Sequence, residues 1–580
     1  MANVDFVVRI AGENGEGVLS VGDLLAEAMA RAGLNVYTFR NLPAEIKGGA
    51  SMVQVRISDG PIGAPGDAVD VLFAWNQENY DIHLRQVREG GIVLYDPDDC
   101  TPDPGSELRH YPVPLTEIAN QKLGERKTKN VVALATLAGL SSLSEELVET
   151  IMQSRYGKRA KQMELNLKAL ATGYEFARTY LPLDFVKVTG RRAFNDRRMI
   201  LTGNEAIALG SLASGVQYFA GYPITPASDI MEILAKQLPR LGGVVIQTED
   251  EISAICSCIG ASFAGRKSMT SSSGPGIALM VEAIGLATMQ ETPLVIVDVQ
   301  RGGPSTGLPT KVEQSDLDLA VYGRHGDAPR IVLAPTTVED LFWGTVDAFN
   351  FSEKYQVPVI LLSDQHLSHR QEAIRVPDIT NLKPVSRKEA PLTDEEHYSR
   401  YQLTEDNISP VAIPGKHNTP WVATGLEHNE HAHIDYSPRM HELMLDKRAN
   451  KVAAAASEPG MVRRFGNPDA KFGIIGWGSA EGPLREAINR LTGRGIDVQA
   501  LVARMVFPVP KEPIQEFLDS VDQVAVIELN KSGQYANLLQ SVFCRKVLRF
   551  NKYDGMPFLT KDICAMVESA IQVREGALVR

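Results

Sequence analysis

Cysteine is scarce. Five occur in 580 residues, at Cys100, Cys256, Cys258, Cys544 and Cys564. So few, mostly scattered, do not suggest a disulfide framework. They also lack the clustered spacing of a ferredoxin-type iron–sulfur site. No apolar run reaches the ~18 residues that span a bilayer. Met1 to Phe6 include Asp5 and offer neither a basic start nor an apolar signal core, so a cytoplasmic location is the expectation. Basic residues are outnumbered: 59 Lys and Arg face 71 Asp and Glu, a net charge of -12. That balance argues against a general nucleic-acid binder and leaves only local basic clusters for large anionic metabolites. Short-period repeats and low-complexity tracts are also lacking. What remains, 44% hydrophobic and 22% charged residues, is ordinary for a globular protein.

At this length one core does not suffice, and three or four domains are expected. The first segment reads as α/β. A strand over Val4–Ile10 leads into the turn Gly12-Glu13-Asn14-Gly15-Glu16-Gly17 and a helical stretch over Val18–Ala32. Apolar runs at Val69–Trp75 and Gly91–Tyr95 read as buried parallel strands, and helices fill much of Val131–Thr179. A basic, irregular stretch near Val186–Arg198 reads as a linker. The second segment alternates again, with strands at Val244–Thr248, Pro293–Gln300, Arg330–Ala334 and Val357–Leu362. The polar, proline-rich Pro384–Pro420 reads as a linker or surface arm. A third α/β segment from about Lys471 has strands at Phe472–Trp477, Val498–Val502 and Val524–Leu529. Three such units in series imply parallel sheets covered by helices.

The chemistry concentrates in loops. The Gly12/Gly15/Gly17 turn suits backbone donors aimed at a phosphate, or is simply a tight strand–helix turn; its spacing is GxxGxG and its two glutamates repel anions. Gly48-Gly49, ahead of the strand-like Ala50–Ile57, admits close approach of a ligand or marks a bend. In Gly221-Tyr222-Pro223-Ile224-Thr225-Pro226-Ala227-Ser228-Asp229 two prolines fix the backbone around Thr225. Ser228 or Asp229 is placed to cap the following helix, a location suited to holding a carboxylate. Thr248-Glu249-Asp250-Glu251 follows a strand and runs straight into the apolar, small-residue stretch Ile252–Ala264. A carboxylate at that junction is expected to be partly desolvated. Ser271–Gly276 (SSSGPG) is a further loop built for close backbone approach. Gln300-Arg301-Gly302-Gly303-Pro304-Ser305-Thr306-Gly307-Leu308-Pro309-Thr310 ends the strongest strand, where open α/β sheets bind ligands. Arg301 offers a fork matched to a carboxylate, and Thr306 and Thr310 add hydroxyls.

YPITPASD, TEDEISA, TSSSGPG with LMVEAIG, and QRGGPSTGLPT, in that order, resemble the alpha subunits of the 2-oxoacid:ferredoxin oxidoreductases. The first segment, with its glycine turn and IKGGASMVQVRI, is similar to that family's gamma unit, here fused in front. The tail, with VIELNKSGQ at Val526–Gln534, resembles the transketolase C-terminal-like unit. The resemblance implies three α/β units with mostly parallel sheets. These are a gamma-like domain over 1–185, a linker over 186–198, a thiamine-diphosphate pyrimidine-binding domain over 199–375, a linker or arm over 376–465, and a transketolase C-terminal-like domain over 466–580.

It further implies that Glu251, with Glu249 as runner-up, hydrogen-bonds the aminopyrimidine of thiamine diphosphate and activates it, with Pro223, Ile224, Ser273 and Gly274 lining the cofactor. Thr225, Arg301 and Thr310, joined by Tyr222 and Thr306, are implied to hold the 2-oxoacid. Gly48, Gly49 and Ser51 are implied to contact coenzyme A. The family's diphosphate and magnesium motif begins with GDG, and no GDG occurs here. Together with the scattered cysteines, this places Mg2+ and a [4Fe-4S] cluster in a separate beta subunit, in an alpha2beta2 assembly that reduces ferredoxin. The form PSTGLPT is most like the 2-oxoglutarate enzymes, which make succinyl-CoA and carbon dioxide and can run in reverse to fix carbon dioxide. Pyruvate or branched-chain oxoacids are alternatives, as are a non-redox transketolase-like transferase and an inactive scaffold subunit. His428, His431 and His433, beside Glu427 and Glu430, have a spacing open to zinc or to a polar surface loop; no metal is assigned to them.

Overall fold

The strand and helix patterns fold into two units, seen in a computed structural model that describes residues 4–43, 48–183, 185–188, 196–391, 398–416 and 419–578. Outside these lie Ile46 and Lys47 of the first motif, residues 189–195 of the expected linker, and residues 392–397 and 417–418 of the proline-rich stretch. The first unit comprises Met1–Thr202, His369–Val376 and Leu559–Lys561; the second comprises Gly203–Ser368, Pro377–Phe558 and Asp562–Arg580.

The first unit is built on an eight-stranded sheet. From edge to edge it runs Arg109–Pro112, Val87–Tyr95, Val69–Ala74, Asp5–Glu13, Ala50–Ser58, Asn35–Asn41, Gln371–Arg375 and Arg198–Thr202. Pairing is parallel from Arg109–Pro112 through Asp5–Glu13 and antiparallel beyond. The antiparallel half has a physical origin: Asn35–Asn41 and Ala50–Ser58 are sequence neighbours and pair directly, with no helical crossover to force parallel alignment. The helices Val18–Arg31, Lys129–Leu140, Glu145–Tyr156 and Ala160–Tyr180 supply the rest of this core. Nearly every residue of Lys129–Leu140 is buried, as a helix apolar all round must be.

The second unit carries two sheets. The seven-stranded one runs Met505–Phe507, Ile331–Leu333, Pro358–Asp364, Leu294–Gln300, Ser268–Ser272, Tyr218–Gly221 and Val244–Gln247. All its pairings are parallel except that of the edge strand Met505–Phe507. Its central strands, LVIVDVQ and PVILLSD, are buried along their whole length, as strands covered on both faces are. The five-stranded sheet runs Val462–Gly466, Gln499–Ala503, Phe472–Trp477, Gln523–Glu528 and Leu548–Asn551, parallel but for its first strand. The architecture is α/β, with mainly parallel pairing across the three sheets.

The stretch after Pro377 is more than an arm. Its helix Pro438–Ala453 buries Lys447, Arg448 and Lys451. Glu291, at 0% exposure, accepts hydrogen bonds from both lysines, at 2.7 Å from Lys451. Among the described residues no helix is long and apolar enough to cross a membrane.

Candidate active site

Four parallel strands, Tyr218–Gly221, Val244–Gln247, Ser268–Ser272 and Leu294–Gln300, point their carboxyl ends to one edge of the seven-stranded sheet. Thr225, Glu251, Ser273 and Arg301 all follow directly from those ends, so the sheet gathers residues spread over 77 positions of sequence, the place where open α/β sheets bind ligands.

The loop after Gly221 leaves Tyr222 at 42% exposure and Pro223 and Thr225 exposed, with Ile224 half-buried and the Thr225–Pro226 peptide cis. The helix starts at Ser228. Its N-cap is Ala227, which has no side chain to cap with, so neither Ser228 nor Asp229 takes the capping position; both lie inside the first turn. Asn204 instead ties the turn down, its Nδ2 donating to the Pro226 carbonyl at 2.8 Å.

The acidic run resolves into three different environments. Glu249 is exposed. Asp250 caps the helix Glu251–Phe263, accepting from the Ser253 N–H at 2.7 Å, and that backbone donor holds its carboxyl below the usual range. Glu251, one residue on, is only 6% exposed. Its carboxyl has no hydrogen bond or ion pair among the described residues. Next to it is Gly276, in the first turn of the helix Gly274–Met289. A β-carbon there would lie 2.6 Å from Glu251 Oε1 and 2.0 Å from Ser272 Oγ. The glycines of SSSGPG thus admit the chain's own side chains. The hydroxyls of Ser272 and Ser273 are enclosed and have no partner among the described residues.

Arg301 is 5% exposed, and its Nη1 donates to the Thr225 carbonyl at 2.6 Å, while its Nε is enclosed without a partner among the described residues. Burial lowers its pKa and the charge of Asp316 opposes that. The loop beyond folds back on itself: the Leu308 N–H donates to the Gly302 carbonyl at 2.8 Å, and a β-carbon on Gly307 (φ 53°) would fall 2.0 Å from that oxygen. Thr306 is exposed at its tip and Thr310 half-buried. The tail motif VIELNKSGQ holds this loop from behind. Asn530 Nδ2 donates to the Gln314 carbonyl at 2.9 Å and Gln534 Nε2 to the Ser315 carbonyl at 2.8 Å. Glu528, fully buried, accepts from the Tyr535 and Ala536 N–H groups at 2.9 and 3.0 Å and fixes the turn between them.

Two acids at this edge were not foreseen. Asp298 and Asp316 flank Arg301 in sequence, and Asp316 meets the helix start at Gly274. The one signal for Asp298 was a lone acid inside the apolar strand LVIVDVQ.

In the first unit the two glycine features meet. Asn14 N–H donates to the Gly49 carbonyl at 3.0 Å and Gly48 N–H to the Asn14 carbonyl at 3.3 Å, with φ of 82° at Gly48 and 79° at Gly49, values that favour glycine. Ser51 is buried at 2% and its Oγ donates to the Gly12 carbonyl at 3.1 Å. A β-carbon on Gly17 would strike the Asn130 amide at 1.9 Å, so that glycine serves packing within the fold. In the histidine cluster, His428 is buried, its Nδ1 2.9 Å from the Leu426 carbonyl and its ring 3.9 Å from that of Tyr401; His431 Nδ1 lies 3.0 Å from Ser399 Oγ. Among the described residues no group of three or more His, Cys, Asp or Glu is arranged to hold a metal ion.

Three family models match along the chain: the thiamine-diphosphate-binding part of pyruvate flavodoxin/ferredoxin oxidoreductase over residues 210–447, pyruvate ferredoxin/flavodoxin oxidoreductase over 7–176, and core domain II of pyruvate:ferredoxin oxidoreductase over 470–561. A 2-oxoglutarate oxidoreductase subunit KorA of Mycobacterium tuberculosis is 33% identical over 99% of this chain and 92% of its own. A 2-oxoglutarate synthase subunit KorA of Methanocaldococcus jannaschii is 38% identical over 58% of this chain and 89% of its own. Among solved structures, the 2-oxoglutarate:ferredoxin oxidoreductase of Magnetococcus marinus, with 2-oxoglutarate, coenzyme A and succinyl-CoA bound, superposes with a TM-score of 0.93 at 41% identity, covering 97% of this chain and 99% of that one. With likeness running nearly end to end in sequence and in fold, this chain belongs to the 2-oxoacid:ferredoxin oxidoreductase family.

Proposed function

We propose that the chain is the alpha subunit of an enzyme that oxidatively decarboxylates 2-oxoglutarate with coenzyme A, giving succinyl-CoA and carbon dioxide and reducing ferredoxin. The observation that carries this reading is a buried, unpartnered Glu251 on the same sheet edge as an Arg301 already anchored on Thr225.

The donor set fits the aminopyrimidine of thiamine diphosphate. Among the described residues Glu251 offers a carboxyl with no competing partner, and the enclosed hydroxyls of Ser272 and Ser273 are uncommitted. When bound, thiamine diphosphate supplies the carbanion chemistry. Glu251 would hold and exchange a proton with a ring nitrogen, its carboxyl being committed to no hydrogen bond or ion pair among the described residues. Pro223, Ile224 and Gly274 shape the wall. Arg301, its Nη1 spent on Thr225, turns the rest of its fork to the oxoacid carboxylate. Thr225, Tyr222, Thr306 and Thr310 line the approach. In the first unit, Gly48 and Gly49 present bare backbone to coenzyme A, on a turn that Ser51 fixes through Gly12.

A beta subunit completes the enzyme. This chain has no GDG motif for the diphosphate and Mg2+. Its cysteines are dispersed, with Cys100, Cys258 and Cys564 buried, so a [4Fe-4S] cluster belongs to the partner. The edge strand Val244–Gln247 exposes Val244 and Ile246, and Leu241, Ile252 and Leu279 are exposed on other elements of this unit, apolar side chains suited to being covered by that chain in an alpha2beta2 assembly. The test is co-expression with a beta-type partner and comparison of 2-oxoglutarate, pyruvate and a branched-chain oxoacid. The reading predicts that an iron–sulfur protein co-purifies and that 2-oxoglutarate is preferred. Preference for another oxoacid would correct the specificity, and sugar transfer without redox change would replace the reading with a transketolase-like one.

A further inference from the structure

Asp298 and Asp316 have no part in the scheme above. Asp298 is at 0% exposure in the strand Leu294–Gln300, and both its carboxyl oxygens are enclosed without a hydrogen-bond partner among the described residues. Asp316 is half-buried as a residue, but its Oδ2 is enclosed and unpartnered too. A β-carbon on Gly274 would lie 2.7 Å from either Asp316 oxygen, so this carboxyl is packed onto the first residue of the helix Gly274–Met289. Its backbone is pinned by the Asp316 N–H donating to Gln300 Oε1 at 3.1 Å. Three enclosed carboxyl oxygens with no donor cannot all carry charge in a dry site.

The charged and titratable groups facing Asp316 are Asp298 from the sheet, Arg301 from the strand's end, and Glu313 from its own loop, where Ser315 also lies. The first turn of Gly274–Met289 carries no acid, and the helix Glu251–Phe263 brings Glu251 to Gly276. Burial raises the Asp298 carboxyl well above its usual range, and the Asp316 charge adds to the rise. Burial raises Asp316 to about 7; Ser315 and Arg301 pull it down and Glu313 pushes it up. Among the described residues Arg301 is therefore the one cation acting on this pair.

We infer that Asp316, backed by the enclosed Asp298, is a positioning residue for Arg301: without forming an ion pair it faces the arginine in the free enzyme, and it takes up one proton from solvent when the carboxylate of the oxoacid docks there. The inference rests on the reading of Arg301 as the carboxylate-binding residue. A second anion beside a single buried cation is poorly compensated, and protonating Asp316 removes the conflict. The proton adds to a carboxyl oxygen, no other bond changes, and it returns to solvent when the site empties.

The experiment uses the assembled enzyme with its partner. Affinity for 2-oxoglutarate should weaken by up to about tenfold per pH unit above about pH 7, because binding is linked to one proton. KM should rise accordingly while kcat changes less. Asp316→Asn should flatten that rise. Calorimetric titration at about pH 7.5 in two buffers of different ionisation enthalpy should find most of one proton taken up per wild-type site and close to none in D316N. The same pH dependence, or the same uptake, in both proteins overturns the inference. Should D316N fail to assemble, infrared difference spectra of the wild type decide: 2-oxoglutarate must produce a new protonated-carboxyl stretch, and its absence overturns the inference. Arg301→Lys separates the two levels. A raised KM upholds the arginine's role whatever D316N shows, and an unchanged KM overturns both.

Discussion

Replacing Gly276 with alanine tests the packing around Glu251 at the scale of one methyl group. The new β-carbon would stand 2.0 Å from Ser272 Oγ, 2.6 Å from Glu251 Oε1 and 2.7 Å from Glu251 Cγ. Contact distances are about 3.5–4.0 Å, so Ser272 Oγ must turn away by roughly 1.5–2 Å and the Glu251 side chain must retreat by roughly 1 Å. Ser272 is part of a buried strand, and the Glu251 carboxyl is the freer of the two. Overpacking costs about 1–3 kcal/mol. Alanine in place of glycine within a helix returns about 1 kcal/mol. The net change in stability is therefore small, while a ~1 Å displacement of a reacting group costs on the order of 10²-fold in rate. In coenzyme A-dependent viologen reduction, G276A should lose about a hundredfold in turnover. Gly285 lies in the same helix, and a β-carbon there meets nothing within 4 Å, so G285A is the matched control and should retain activity. G276A active within a few-fold of wild type, or both variants equally impaired, would refute the argument.

Three further outcomes are expected. Arg301→Lys keeps the charge but loses the fork that reaches Thr225 and, in the proposed role, the substrate carboxylate, and should raise KM for 2-oxoglutarate about 10- to 100-fold, since a charged hydrogen bond is worth ~1.5–3 kcal/mol. Glu291→Gln strands Lys447 and Lys451 in the core and should destabilise the second unit by about 3–5 kcal/mol, read from thermal unfolding. Burial alone would raise the Glu291 carboxyl, but the charges of Lys447 and Lys451 override it and hold it below its ordinary 4.5. That contribution is present above about pH 4.5 and lost as pH falls through the lowered folded value, so the wild type should lose its advantage over E291Q in acid.

Much of the architecture was legible because it rests on local patterns. Continuous apolar runs placed Phe472–Trp477 to the residue and Leu294–Gln300 within one, and the helical period placed Val18–Arg31. What escaped is non-local. Arg198–Thr202 pairs with Gln371–Arg375, which pairs in turn with Asn35–Asn41, each across more than 160 positions of chain, and neither segment is apolar enough to read as a buried strand. The helix Pro438–Ala453 was hidden by the charges it buries, which hydropathy reads as surface. At the site, glycines and prolines marked the loops and one sheet edge brought them together. The capping of YPITPASD was misread because Ala227, whose side chain offers no acceptor, occupies the cap. The carboxyl pair was missed because only the fold shows that Asp298 and Asp316 are enclosed without donors.

The central claim is that Glu251 is the proton-exchanging group of a coenzyme A-dependent oxidoreductase. Its most direct test is viologen reduction by the assembled enzyme, wild type against Glu251→Gln, with 2-oxoglutarate and coenzyme A saturating. The account predicts an intact assembly with its iron–sulfur partner and a loss of about 10²–10⁴-fold in turnover, the usual worth of a positioned acid–base group. Glu251→Gln at near wild-type turnover in an intact assembly would contradict it.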